Sequence, residues 1–153
     1  MTFLRNVIAL LAITFFTLGL SACDNQNVEK KSFTNTINGI ELTFIYYYDG
    51  DVVQRQEAVN ILPYQSIGVE NTEQARAKLS VFTKAYQGVD GVTDVIDYKE
   101  DHAEEHLSVD FSKAKISELC KLPGSAFSDC RQTFISMKKS EEILAAQGFK
   151  EVK

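Results

Sequence analysis

SFTNTINGIELTFIYYYDGDVVQRQEAVNI, residues Ser32 to Ile61, places two turn signals between apolar runs, and the fold is read outward from them. Asn38-Gly39 and Asp49-Gly50 supply the positive φ angles that a two-residue type I′ hairpin turn needs. Together they predict a three-stranded antiparallel meander. With both turns two residues long, Phe33 faces Phe44 and Tyr46 faces Val53. Phe33, Ile37, Ile40, Leu42, Phe44, Tyr46, Tyr48, Val53, Val59 and Ile61 then share one face, while Ser32, Thr34, Thr36, Glu41, Thr43, Gln54 and Gln56 share the other. Such alternation belongs to a sheet with one face on a core. Arg55 and Glu57 interrupt the apolar face, as they would beyond the core's edge or where a bulge flips the strand. Ile45, Tyr47 and Val52 interrupt the polar face, with Tyr47 and Val52 opposed. That cluster is either a docking surface for an envelope protein partner or is covered by another part of the fold.

Downstream, Pro63 ends the third strand in any central position. Asn71 followed by Gln74 resembles a capping box, and Ala75, Leu79, Phe82 and Tyr86 recur at helical spacing, which predicts a helix over 72–86 lying on the apolar face. Gly88 and Gly91 end it. A second hairpin is expected from Val92–Glu100 and Glu105–Phe111, with Ile96, Tyr98, Leu107, Val109 and Phe111 inward. Ser112 is placed to cap a short helix toward Cys120. A last helix is expected over Met137–Gln147, with Gly148 at the left-handed C′ position and Phe149 packing back on Leu144 as in a Schellman motif. The order βββαββαα predicts an α+β domain over residues 32–153, a largely antiparallel five-stranded sheet with helices packed on one face.

Upstream, Arg5 and the free amino group precede an apolar run, Val7 to Leu18, of signal-peptide length. A membrane-spanning helix needs about 20 such residues. Leu20-Ser21-Ala22-Cys23 follows the run directly: a branched apolar residue, two small ones and a cysteine, the pattern that a bacterial lipoprotein signal peptidase reads. Residues 1–22 are therefore expected to be removed and Cys23 to carry acyl chains, palmitate among them, that hold the protein on the membrane. The protein would then face the periplasm or the cell exterior, with inner and outer membrane both open. Residues 23–31 read as a lipidated, polar tether.

The chain after residue 22 suffices for one domain and not two. Its net charge, −5 for the whole sequence, becomes more negative by one without Arg5, which argues against nucleic acid and against attraction to anionic headgroups. With Cys23 given to lipid, Cys120 and Cys130 remain as a pair outside the cytosol, where disulfides persist. A structural bridge is the leading expectation, two free thiols or a redox pair the alternatives. Asp101-His102-Ala103-Glu104-Glu105-His106 is the densest polar cluster. It reads as a solvated hairpin tip, and His102 and His106 are its candidates for a divalent metal. No nucleophile elbow or phosphate loop is present, so no catalytic residue and no cofactor is expected.

The chain resembles the YehR-like family of small bacterial lipoproteins. The resemblance rests on the lipobox, Asn38-Gly39 entering an aromatic strand, Asp49-Gly50-Asp51-Val52, Ser66-Ile67-Gly68 before the helix, and the run from Gln147 to Lys153. It implies a lipoprotein with a single small domain and brings no catalytic residue. Cys120 and Cys130 fall outside the family pattern, which makes their bridge a local addition. The expectation is a membrane-anchored, non-enzymatic binding or interaction module of the cell envelope; the alternative is a lipoprotein binding a small ligand or a divalent metal at residues 101–106.

Overall fold

Asn38 and Gly39 both adopt positive φ, 53° and 79°, and close the first hairpin as their sequence predicted. The computed structural model describes residues 27–123, 125 and 129–152. Strands β1 (Glu29–Ile37) and β2 (Ile40–Asp49) pair antiparallel with Phe33 opposite Phe44. Glu29 to Lys31, assigned by the sequence to the tether, are already part of β1.

The second turn differs. Only Gly50 takes positive φ there (58°), the sign pattern of a type II′ turn with glycine first. The turn residues are thus Gly50-Asp51, and Asp49 faces Val52 at the start of β3 (Val52–Pro63). The register then slips between Tyr48, opposite Val53, and Tyr47, opposite Arg55, leaving Gln54 without a partner on β2. This is a bulge. It corrects the expected pairing: Tyr46 faces Gln56 rather than Val53, and Tyr47 does not oppose Val52. Beyond the bulge Gln56, Ala58, Asn60 and Leu62 turn to the helix-covered face. Val59 and Ile61 turn away from it, against expectation.

Helix α1 (Thr72–Tyr86) has the predicted bounds. The Asn71 side chain accepts the Gln74 amide at 3.0 Å, and Gln74 Oε1 accepts the Glu70 amide at 3.0 Å. Strands β4 (Val92–Tyr98) and β5 (His102–Asp110) follow, so the second hairpin turns at 99–101 and the acidic cluster, apart from Asp101, lies within a strand rather than at a tip. Ser112 does not cap α2 (Ile116–Leu119); its hydroxyl donates to Asp110 Oδ1 at 2.6 Å. A disulfide joins Cys120 to Cys130, with Cα atoms 5.8 Å apart. Gly124 of the bridged loop lies outside the described residues.

Helix α3 (Met137–Ala146) is seated by the second turn. Asp51 accepts the Ser136 hydroxyl and the Lys138 amide, each at 2.8 Å, and these bonds hold its carboxyl below the usual range. The helix ends in the expected Schellman geometry: the Phe149 amide donates to Leu144 O and the Gly148 amide to Ala145 O, both at 3.0 Å. Lys150–Val152 then pair with β1 as β6, a strand absent from the sequence reading, giving a six-stranded antiparallel sheet in the order β4-β5-β3-β2-β1-β6. β6 escapes notice because it has three exposed residues and one apolar side chain.

The helices cover one face and pack over two separate cores. Met137, Leu144 and Phe149 close over Phe33, Tyr46, Tyr48 and Val53; Ala75 and Leu79 of α1 close over Leu62, Tyr64 and Ala103. Between these clusters the sheet is not sealed.

Candidate functional site, a groove between the two cores

The gap is a cavity of about 570 Å³. Phe82 and Tyr86, the second half of the α1 stripe, form one wall, and Ile143 and Leu144 of α3 form the other. Its floor is the middle of the sheet. Phe44, Ala58, Leu107 and Val109 make it apolar, and Gln56, Asn60 and Glu105 place polar groups among them. The bulge at Gln54 sets this floor, since it alone turns Gln56 and Asn60 inward. Phe82 and Ile143 remain 37% and 45% exposed at the mouth.

Asn60 and Glu105 are opposed across β3 and β5, and Asn60 Nδ2 donates to Glu105 Oε2 at 2.6 Å. Asn60 Oδ1 is enclosed and has no partner. Asp94 of β4 lies diagonally behind Glu105, opposite Leu107 of β5, with both oxygens enclosed and the Thr83 side chain as its hydrogen-bonding neighbour, which partly offsets the effect of burial. The nearby Thr83 hydroxyl donates to Leu79 O at 3.4 Å. Burial first, and then the charge of Glu105, push the Asp94 carboxyl up to about 6. Burial also raises Tyr86, whose hydroxyl donates to Pro123 O at 3.2 Å, and drives Tyr46 to about 12. The groove thus has apolar walls and a floor that holds a carboxylate, Glu105, beside the unpartnered Asn60 Oδ1.

The residues singled out by sequence lie elsewhere. His102 and His106 sit four apart on one strand, with Cα atoms about 13 Å apart at ordinary strand rise. That separation does not converge both rings on one ion. His102 instead contacts Asp101 at 2.6 Å and Glu104 at 3.4 Å, which raise its pKa in that order. Among the described residues no three His, Cys, Asp or Glu side chains are grouped to hold a metal. Ile45 and Tyr47 lie on the helix-free face, where the Arg55 guanidinium covers the Tyr47 ring at 4.0 Å and the Tyr47 hydroxyl donates to Glu57 Oε2 at 3.2 Å. Val52 is 38% exposed at the turn, next to the isolated bridge with Ser136. Cys23 lies outside the described residues. The sequence reading grouped Glu105 with the solvated cluster, although its alternation with Ala103, Leu107 and Val109 is the signal that places it inward.

The family model described as "Protein of unknown function (DUF1307)" matches residues 29–150. The chain belongs to this family. An uncharacterised lipoprotein of Listeria innocua, Lin0239, is 37% identical over 152 residues, with 99% of each chain covered. The uncharacterised lipoprotein YehR of Escherichia coli is 27% identical over 150 residues, with 97% of each covered. The NMR structure of YehR superposes with a TM-score of 0.74 at 31% identity, over 84% of this chain and 94% of that one. A protein from Streptococcus pneumoniae shares the fold alone, with a TM-score of 0.62 at 14% identity, over 99% of this chain and 98% of that one. The resemblance drawn from the motifs therefore holds, as does the α+β class, with a sixth strand added. No described helix is long and apolar enough to cross a membrane.

Proposed function

We propose that this DUF1307 protein is a lipid-anchored binding module of the cell envelope, non-enzymatic, that takes the apolar body of a small ligand into the groove between α1 and α3. The lipobox at Cys23 and the lipoprotein relatives support the anchor and a site outside the cytosol. The observation that carries the binding reading is the cavity itself. Two cores on one sheet face remain apart over about 570 Å³, with Phe82 and Ile143 exposed at the mouth. A cavity of that size with apolar walls and a few placed polar groups is the usual form of a small-molecule site.

The test is an NMR titration of residues 24–153, which hold every described element and both cores, with 1-octanol. Amide shifts confined to Phe44, Ala58, Leu107, Val109 and the facing turns of α1 and α3 are expected, and Ile143→Glu at the mouth is expected to remove them. Scattered shifts, or none, would overturn the reading.

A further inference from the structure

The polar groups of the groove divide by role. Several donors near it are committed within the protein, Tyr86 Oη to Pro123 O, Ser140 Oγ to Ser136 O, Ser136 Oγ to Asp51 and Lys78 Nζ to Ile67 O, while Lys139 and the side chains of Gln56, Gln132 and Gln147 also line it. Asn60 Nδ2 is held by Glu105. The groups at the centre of the floor are of the opposite kind. Asn60 and Glu105 line the cavity; Asn60 Oδ1 is enclosed without a partner beside a Glu105 carboxylate that accepts the Asn60 amide, and behind them lies Asp94, whose hydrogen-bonding neighbour is Thr83. An enclosed acceptor without a donor costs free energy, and an enclosed carboxylate without a counter-charge costs more. A ligand seated against Glu105 at this centre gains from bringing hydrogens and positive charge.

We propose that the groove binds an amphiphilic primary amine, its alkyl body lying between α1 and α3 and its ammonium group seated on the floor against Glu105 and the carbonyl oxygen of Asn60. The proposal rests on the groove reading above and adds the chemistry of the head. A bare divalent cation meets the same oxygens but leaves the apolar walls unused. A fatty acid fills the walls but sets a third carboxylate beside Glu105 and Asp94. An alkyl ammonium satisfies both, since its three donors match Glu105, Asn60 Oδ1 and one further acceptor, Gln56 Oε1 being within the same lining. Lys139 lines the opposite wall on α3 and Lys78 Nζ donates to Ile67 O, and among the described residues neither forms an ion pair with Glu105.

Three probes of one chain length separate head from body: octylamine, 1-octanol and octanoate, each titrated into residues 24–153 at pH 7.5 and followed by amide shifts. Octylamine is expected to bind at least tenfold more tightly than 1-octanol, and octanoate more weakly than either. Glu105→Gln keeps the size of the side chain and an acceptor for Asn60, and should cut octylamine affinity at least tenfold more than it cuts 1-octanol affinity. Equal affinity of octylamine and 1-octanol, preference for octanoate, displacement of octylamine by calcium or magnesium at stoichiometric amounts, or octylamine binding untouched by Glu105→Gln would each overturn the amine assignment while the groove stands. Failure of all three probes to bind would overturn the groove itself. Should Glu105→Gln not fold, the order of the three heads on the unaltered protein still decides.

Discussion

The two hairpins of the meander carry the same kind of dipeptide and close differently. At Asn38-Gly39 both residues take positive φ and the ladder runs on without interruption; at Asp49-Gly50 the turn moves one residue along and a bulge follows. The first hairpin builds a core strand pair. The second chooses what β3 shows to the helices. An uninterrupted ladder would present Val59 and Ile61 to the core face and put Gln56 and Asn60 outside, and the groove would have lost its polar floor. One unpaired residue, Gln54, separates a packing surface from a candidate binding site.

Removing Gln54 tests this most severely. The deletion forces β3 either to exchange its faces or to break the turn that seats α3, and the expected loss exceeds about 4 kcal/mol, seen as loss of cooperative thermal unfolding by circular dichroism. A folded deletion variant with unchanged amide shifts along β3 would refute the account. Gly39→Ala comes next. It holds an L residue at φ 79° and brings Cβ within 2.6 Å of Ser66 Oγ, and about 2 kcal/mol of destabilisation is expected in urea melts. Gly50→Ala meets nothing within 4 Å, so only its φ of 58° counts and about 1 kcal/mol is expected. Equal costs would mean that Ser66 moves aside without penalty.

Asp94→Asn probes the floor through pH. Folding raises this carboxyl from 3.8 to about 6, with Glu105 on β5 and Tyr86 and Thr83 on α1 as its neighbours. A raised acid holds its proton longer in the folded state, so its penalty is absent below about pH 4, grows from 4 to 6 and is constant above. The variant should therefore be more stable than the parent at pH 7.5, by on the order of 1 kcal/mol after solvent screening, and the two should converge at pH 4. Thermal melts at the two pH values check it. The smallest effect belongs to the other face. Tyr47→Ser loses the Arg55 contact at the sheet surface, and about 0.5 to 1 kcal/mol is expected in urea melts.

Legibility in the sequence followed how local the determinant was. The α1 limits, the α3 terminus and the first hairpin are each fixed by residues within a few positions: Asn71 with Gln74, Gly148 with Phe149, Asn38 with Gly39. The second hairpin is not. Asp49-Gly50 and Gly50-Asp51 are both acceptable turns, and the choice is coupled to a distant helix whose start is bonded to Asp51. Arg55 and Glu57 did register the flip, as charges on a face meant to be apolar. The floor of the groove followed from that choice, so Asn60 and Glu105 could not be paired before the register was known. The histidine cluster misled because five polar residues within six resemble a turn, while the apolar Ala103 and Leu107 spaced among them mark a strand.

The pairing of β6 with β1 puts Val152 opposite Ser32, at the largest sequence separation in the sheet. During synthesis, β1 can complete its β2 side early and must wait more than a hundred residues for the other, although Lys31 of this same strand also needs Glu141 on α3. Its outer edge therefore stays open for most of the chain's emergence. The alternation of Ser32, Thr34 and Thr36 with only Phe33 and Ile37 as large apolar side chains keeps that waiting edge a poor template for pairing with another chain.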